Sequence, residues 1–398
     1  MVNNRVLMVH WGEFPYIRVD KIGPELASRG FSVDLLCTGA PANASWPHGR
    51  IFTLKNFTNL PLRIRDRLLA DLSRDPGYFP KRQLDEFRDL CVQEKYAFVH
   101  WINLPGARQA GEICGANGIR FILDPQENHP YNIWSTARDL GIKGWRYDLN
   151  AWFEFERQSA NLAHKILVNV EEMAQRMVGM HGIDLGKFEV VRHVERNDAW
   201  AGVDAGEALA KRFQGQRVLL YVGSCSLHRG LDVIISALPE VRKAWPDIRM
   251  VIVGSGPGIA VWKKLAKDLG LDDIVSFEGQ KPFEEAQRYY KIAHAGVIPH
   301  YKYGQTDNTV PHKLAQNMIA GVPTIASSCH ALQRLVTELG IGRVFEAGNP
   351  KSAAAAILSS DAPERAQWIK AGIAATAPGG RYAWSGMCDA LDRAYSLN

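Results

Sequence analysis

The feature that most constrains this chain is the regular alternation of short apolar runs with amphipathic stretches along nearly its whole length. RVLMVH (5–10) has the unbroken apolar character of a strand buried on both faces. Residues 18–29 have helical spacing and end at Gly30, and FSVDLLC (31–37) is the next strand. Comparable runs follow at 96–101, 119–124, 164–169 and 188–193, and again at 217–223, 248–254, 274–279, 294–299, 322–327 and 342–346. Strands that alternate with helices form parallel sheets covered on both faces. With 398 residues the chain exceeds one ordinary core. The expected fold class is therefore α/β, with two doubly wound Rossmann-like domains facing each other across a cleft.

The expected boundaries are 1–200 and 201–381, joined through a polar, alanine- and glycine-containing connection at about 194–216. A last helix, 382–397, carries Trp384, Met387, Leu391 and Tyr395 at helical spacing and must pack on something. Apolar residues at 46% and charged residues at 22% supply material for two cores and argue against disorder. A formal charge of +5 without a block of lysine and arginine gives no nucleic-acid arm. The six cysteines form no C-x-x-C pair and no zinc spacing, so they are expected reduced and mostly buried, with no metal. The first residues enter a strand without a cleavage pattern, and no apolar run reaches the roughly 20 residues a membrane span needs. A cytoplasmic location is expected.

In open parallel sheets ligands bind beyond the carboxyl ends of the strands, which directs attention to three loops of the second half. GSCSLHRGLD (223–232) carries Arg229 at the start of a helix, where exposed N–H groups and a guanidinium suit a phosphate. A solvated first-turn arginine is the plain alternative. VIVGSGPG (251–258) is a glycine-rich strand-to-helix turn, with Glu278 placed for the ribose of a dinucleotide; either a nicotinamide site or a tight turn without a ligand fits it. DNTVPHKLAQNMIAGVPTIAS (307–327) predicts a helix from about Val310 to Ala320 with Pro311 in its first turn. Its N-terminal amides and Lys313 then present positive charge. If that face meets the cleft, Gln316, three residues on and on the same face, reaches ribose hydroxyls behind a diphosphate.

The set YVGS...RGLDVIISAL, VIVGSGP, VSFEGQKP and VPHKLAQNMIAGVPTIAS, in this order and spacing, resembles the donor-binding domain of family 4 glycosyltransferases, enzymes of the two-domain GT-B fold. The likeness covers nearly all of 217–345 and extends more faintly to FPYIRVDKIGPELASRGFSVDLLC and DPQENHP. It implies a nucleotide-diphosphate sugar as co-substrate in the C-terminal domain and no other cofactor. A glycan or lipid-linked acceptor would lie in the N-terminal domain, with the last helix packed back on that domain. Arg229 then contacts the diphosphate, the backbone of Asn308, Thr309 and Val310 caps diphosphate and sugar, and Gly279 to Lys281 lie along the base. No divalent metal is implied, because helix dipole and cations stabilise the leaving group. Three departures stand out: the family's two glutamates eight residues apart are Asn308 and Gln316 here, its basic residue after Gly223 is Ser224, and its His-Glu pair is Gln126 and Glu127, with His129 two residues on.

The resemblance further implies transfer with retention, the leaving phosphate taking the acceptor's proton, and Gln126, Glu127 and His129 as the candidate catalytic group. Inverting relatives use a carboxylate base, for which Glu127 or Glu13 qualifies; Glu127 equally suits a turn cap. His10 faces either the acceptor or the core, and Gly12 either lets backbone approach a ligand or makes a turn. NLPLRIRDRLLADL (59–72) interleaves leucine and arginine and suits peripheral contact with an anionic inner membrane or an ordinary half-buried helix. The aromatic cluster at 144–155 is expected mainly in the core. The expected activity is hexosyl transfer in surface polysaccharide or glycoconjugate synthesis. A catalytically silent sugar-nucleotide binder and an NAD-dependent oxidoreductase are the alternatives.

Overall fold

The computed structural model of the protein describes residues 3–54, 75–139 and 141–396; the stretch 59–72 lies outside the described residues. Two compact units emerge, Met1–Val191 with Cys388–Asn398, and Arg192–Met387.

In the first unit seven parallel strands line up in the order β3-β2-β1-β4-β5-β6-β7. They are β1 (Arg5–Glu13), β2 (Ser32–Gly39), β3 (Ile51–Thr53), β4 (Phe98–Ile102), β5 (Arg120–Asp124), β6 (Lys165–Val168) and β7 (Phe188–Val190). The order reverses between β1 and β4, where Met8 stands opposite Leu35 on one side and His100 on the other. Covered on both faces, these strands need apolar side chains at successive positions, and Val6 to Val9 are almost fully buried. β3 was not expected: three residues of an edge strand leave no recognisable apolar run.

Burial in this unit includes a charged chain. Arg18 donates to Asp124 (2.7 and 3.3 Å) and to the carbonyl of Val191 (3.1 Å). His100 links Asp124 (3.1 Å) to the hydroxyl of Tyr395 (2.6 Å). Burial alone raises a carboxyl, but the Arg18 charge and the His100 bond outweigh it and hold Asp124 at about 2. Tyr395 follows the last helix, Trp384–Ala394, and also packs on Phe31 and Phe98. Leu391 and Tyr395 are buried, as their helical spacing requires.

Six parallel strands form the second unit's sheet, in the order β10-β9-β8-β11-β12-β13. They are β8 (Arg217–Val222), β9 (Ile248–Val253), β10 (Val275–Gly279), β11 (Ala293–Ile298), β12 (Thr324–Ser327) and β13 (Gly342–Phe345). Alternate residues of β8 feed two cores. Leu219 and Tyr221 join Leu231, Ile234 and Trp262 on one face, while Val218 and Leu220 join Trp200, Phe213, Tyr289 and Tyr290 on the other. The stretch 194–216, expected as a connection, is therefore anchored to this unit by Trp200 and Phe213. Its polar composition masked two apolar anchors.

All six cysteines are free, five buried and Cys388 half-buried. No helix among the described residues is long and apolar enough to cross a membrane.

Candidate functional site

At the carboxyl ends of β8, β9 and β11 the second unit gathers its unusual chemistry. β8 leads through Gly223 into the turn Leu227–Arg229, then the helix Leu231–Ala244. Arg229 Nη1 lies 3.4 Å from Nε2 of His300, just past β11, and its Nε is buried without a partner. Burial, with Arg229 and Lys313 adding to it, keeps the His300 imidazole neutral, well below its usual range. His300 Nε2 thus accepts from the guanidinium.

Lys313 is 8% exposed, and its ammonium stands 4.7 Å from the centroid of the Tyr221 ring. A side chain on Gly223 would begin 3.4 Å from that ammonium, so the glycine leaves room beside it. Among the described residues no carboxylate pairs with Lys313 or Arg229. Burial first, then the Arg229 charge, drives Lys313 well below the ordinary lysine range. An ammonium buried beside Arg229 without a counter-ion thus favours losing its proton, and an arriving anion would restore the charge.

Lys313 lies in the helix His312–Ile319, which starts two residues later than the expected Val310, with Pro311 at its N-cap in extended conformation. Asn308, Thr309 and Val310 bridge from the short helix Gly304–Asp307. The Asn308 amide donates to the Gly304 carbonyl (3.3 Å), the Thr309 hydroxyl donates to the Gln305 carbonyl (2.7 Å), and Val310 is buried. Gln316 accepts from Tyr290 (2.9 Å) and donates to Glu195 (3.2 Å). Ser224 is exposed and its carbonyl accepts from Tyr221 (2.6 Å). Gly279 is exposed and its carbonyl accepts from Gly254 (2.8 Å), while Lys281 pairs with Glu285 (2.8 Å).

The glycine-rich turn has a packing role. A Cβ on Gly254 would fall 1.9 Å from the Gly223 carbonyl, and one on Gly256 2.7 Å from the Cys225 backbone, both at φ near +150°. These glycines press one loop against the other. Glu278, weighed as a ribose ligand for a dinucleotide, instead pairs with Arg212 (2.7 and 2.9 Å) and accepts from Tyr289 (3.1 Å).

In the first unit the candidates collect at the strand ends beside the β1/β4 reversal. His10 stacks on Tyr16 (3.8 Å between ring centroids), and burial pushes its pKa down to about 4. Its Nδ1 is buried without a partner. Gly12 passes so close that a Cβ would sit 2.5 Å from the His10 ring. Tyr16 donates to Gln126 (2.9 Å), whose φ of +59° is a rare left-handed conformation for a side chain of this size. Glu127 accepts from Asn132, and Glu13 is exposed. His129, expected as a catalytic candidate, has both ring nitrogens shielded without partners, packs edge-on against Trp152, and is lowered by burial to about 4. The aromatic cluster divides: Trp152 and Phe155 are core, whereas Trp145 and Tyr147 line an open pocket of about 640 Å³ with Trp134, Arg138 and Lys143.

Sequence reasoning missed Tyr221, His300, Glu195, Tyr290 and Tyr16. His300 alone carried a usable signal, its position just past a strand's carboxyl end; Tyr221 lies in an expected strand and Glu195 in the stretch expected as a connection.

Comparison with known proteins agrees with this layout. Residues 17–193 match the family described as "Glycosyl transferase 4-like domain", and residues 208–375 match "Glycosyl transferases group 1". Curated relatives include D-inositol 3-phosphate glycosyltransferases of Mycolicibacterium smegmatis (28% identical, 37% of this chain and 34% of the relative) and Segniliparus rotundus (24%, 60% and 54%). The matched part thus spans about a third to a half of these relatives' length. Among solved structures, sucrose-phosphate synthase from Thermosynechococcus elongatus superposes with a TM-score of 0.73 at 16% identity, over 98% of both chains. Anabaena HepE in complex with UDP does so with 0.70 at 11%, over 97% of this chain and 98% of its own. WaaG, a glycosyltransferase involved in lipopolysaccharide biosynthesis, gives 0.70 at 14%, over 98% and 100%. With a family match on each of its two Rossmann-like units, the chain belongs to the family 4 glycosyltransferases of the GT-B fold.

Proposed function

We propose that this protein transfers a sugar from a nucleotide-diphosphate sugar, held by the second unit, to the hydroxyl of a glycan or lipid-linked acceptor held by the first. The observation that carries the reading is the buried, unpaired ammonium of Lys313 beside Arg229, a combination that makes sense around a phosphate. UDP in the HepE complexes favours a uridine donor, and WaaG's part in lipopolysaccharide synthesis favours a surface polysaccharide or glycoconjugate product.

The chemistry assigned to the site is electrostatic. As the glycosidic bond to the diphosphate breaks, negative charge grows on the leaving oxygen, and Arg229, Lys313 and the amides of 308–310 stand ready for it without reorganisation. Arg229, with Lys313 protonated once the diphosphate is present, would supply the charge neutralisation that a divalent ion gives elsewhere, which supports a metal-independent reaction. Transfer with retention, the leaving phosphate accepting the acceptor's proton, fits a site whose family glutamates are amides. On the first unit, His10, Gly12, Glu13, Gln126 and Glu127 are assigned to the acceptor side. His10, neutral above about pH 4, serves there as a hydrogen-bonding group.

Calorimetric titration with UDP, GDP and NAD tests the donor assignment. Binding of a nucleoside diphosphate and not of NAD is expected; NAD binding alone would overturn it. Transfer or slow hydrolysis of the matching sugar nucleotide in the presence of EDTA separates an enzyme from a silent binder, and the anomeric proton of the product reports retention.

A further inference from the structure

Gln316 stands where the family carries a glutamate, yet a carboxylate lies directly behind it. Its Nε2 donates to Oε1 of Glu195 (3.2 Å), a residue 2% exposed that lies 121 positions earlier in the chain. On the other flank its Oε1 accepts from the Tyr290 hydroxyl (2.9 Å). Burial, then the Glu195 charge, raises the Tyr290 phenol, so it stays protonated and donates.

An amide is nearly symmetric in shape and turns over easily unless its neighbours distinguish oxygen from nitrogen. Here they do. Turned over, Gln316 would set its carbonyl oxygen against the Glu195 carboxylate, acceptor against acceptor. Glu195 therefore fixes the orientation of the amide, which keeps one further N–H and one further carbonyl lone pair. These complement a vicinal diol, one hydroxyl accepting while the other donates. Gln316 lies on the same helix face as Lys313, three residues away. A glutamate at 316 would instead bring two carboxylates to hydrogen-bonding distance, where both cannot ionise.

We infer that Glu195 is a positioning and specificity-determining residue of the donor site, acting through Gln316 to select the ribose cis-diol behind the diphosphate. This rests on the reading that the Lys313 and Arg229 pocket holds a nucleoside diphosphate. The negative charge that relatives carry on the helix is supplied here from the segment after β7, and the amide relays it.

The test compares UDP, 2′-deoxy-UDP and inorganic pyrophosphate by calorimetry on the full chain, with GDP and its deoxy form used if guanine is preferred. Glu195→Gln is expected to weaken UDP about tenfold, the equivalent of one well-placed hydrogen bond to a charged group. The deoxy nucleotide should change by less than about twofold, and pyrophosphate, which meets only the cations, should not change. The exchange Glu195→Gln with Gln316→Glu returns a carboxylate to the pair and should restore UDP binding. Should Glu195→Gln fail to fold, Glu195→Met, which keeps the volume and removes the acceptor, must show the loss for UDP and not for pyrophosphate. Unchanged UDP affinity, or equal loss for all three ligands, overturns the inference while the donor site stands. A wild-type chain that binds pyrophosphate but neither nucleotide overturns the donor reading and this inference with it.

Discussion

At the scale of single residues, Lys313 joins a stability argument to a functional one. A buried ammonium facing Arg229 without a carboxylate destabilises the ligand-free protein, and sites kept in that condition are commonly functional. Lys313→Met keeps length and apolar packing while removing the charge. It should raise the stability of the ligand-free chain by about 1–3 kcal/mol in urea titrations and abolish the gain that a nucleoside diphosphate gives the wild type. A variant less stable than the wild type would mean that the ammonium is satisfied in the fold. Arg229, Lys313 and Gln316 could be picked out from the chain because each follows a strand end or a helix start. The partners that define their chemistry could not: His300 lies 71 positions from Arg229 and Glu195 lies 121 from Gln316, and no local pattern joins such pairs.

Among the elements, strands were the most legible because burial on both faces demands continuous apolar runs, as in Val6 to Val9 and Met250 to Val253. Helix starts were less so. Pro311 is acceptable both in a first helical turn and just before one, so the sequence allowed either, and tertiary packing of Val310 settled the start at His312. The glycine-rich turn illustrates the same limit. Its composition suited a dinucleotide or plain packing, and only the neighbouring loop, pressed against Gly254 and Gly256, decides for packing. Gly254→Ala should therefore destabilise the second unit by roughly 2–4 kcal/mol, since both φ and the Gly223 carbonyl oppose a Cβ. Circular dichroism melts against wild type measure this, and an unchanged melting temperature would show that the two loops do not meet.

For the whole molecule, buried neutral histidines set an acid limit. His10, His129 and His294 are each lowered to about 4, burial being the first cause in every case. The unfolded chain protonates them near 6.5, so the stability they permit is complete above that value and is lost as pH falls from about 6.5 toward 4. Urea midpoints at pH 7.5 and 5 should differ, the lower at pH 5; equal midpoints would mean these rings protonate in place. The two-unit α/β plan was readable from strand and helix alternation alone. Attachment of the chain's end to the first unit was expected only through the family resemblance, and the bonds that carry it, from Tyr395 through His100 to Asp124, follow no local pattern because Tyr395 and His100 lie far apart in the chain. The donor assignment rests on the cation pocket of the second unit, and calorimetry of UDP and GDP binding to wild type and Arg229→Ala tests it most directly. It predicts that the better nucleotide binds the wild type and loses about 1–3 kcal/mol in the variant. Equal affinity in the two proteins would contradict it.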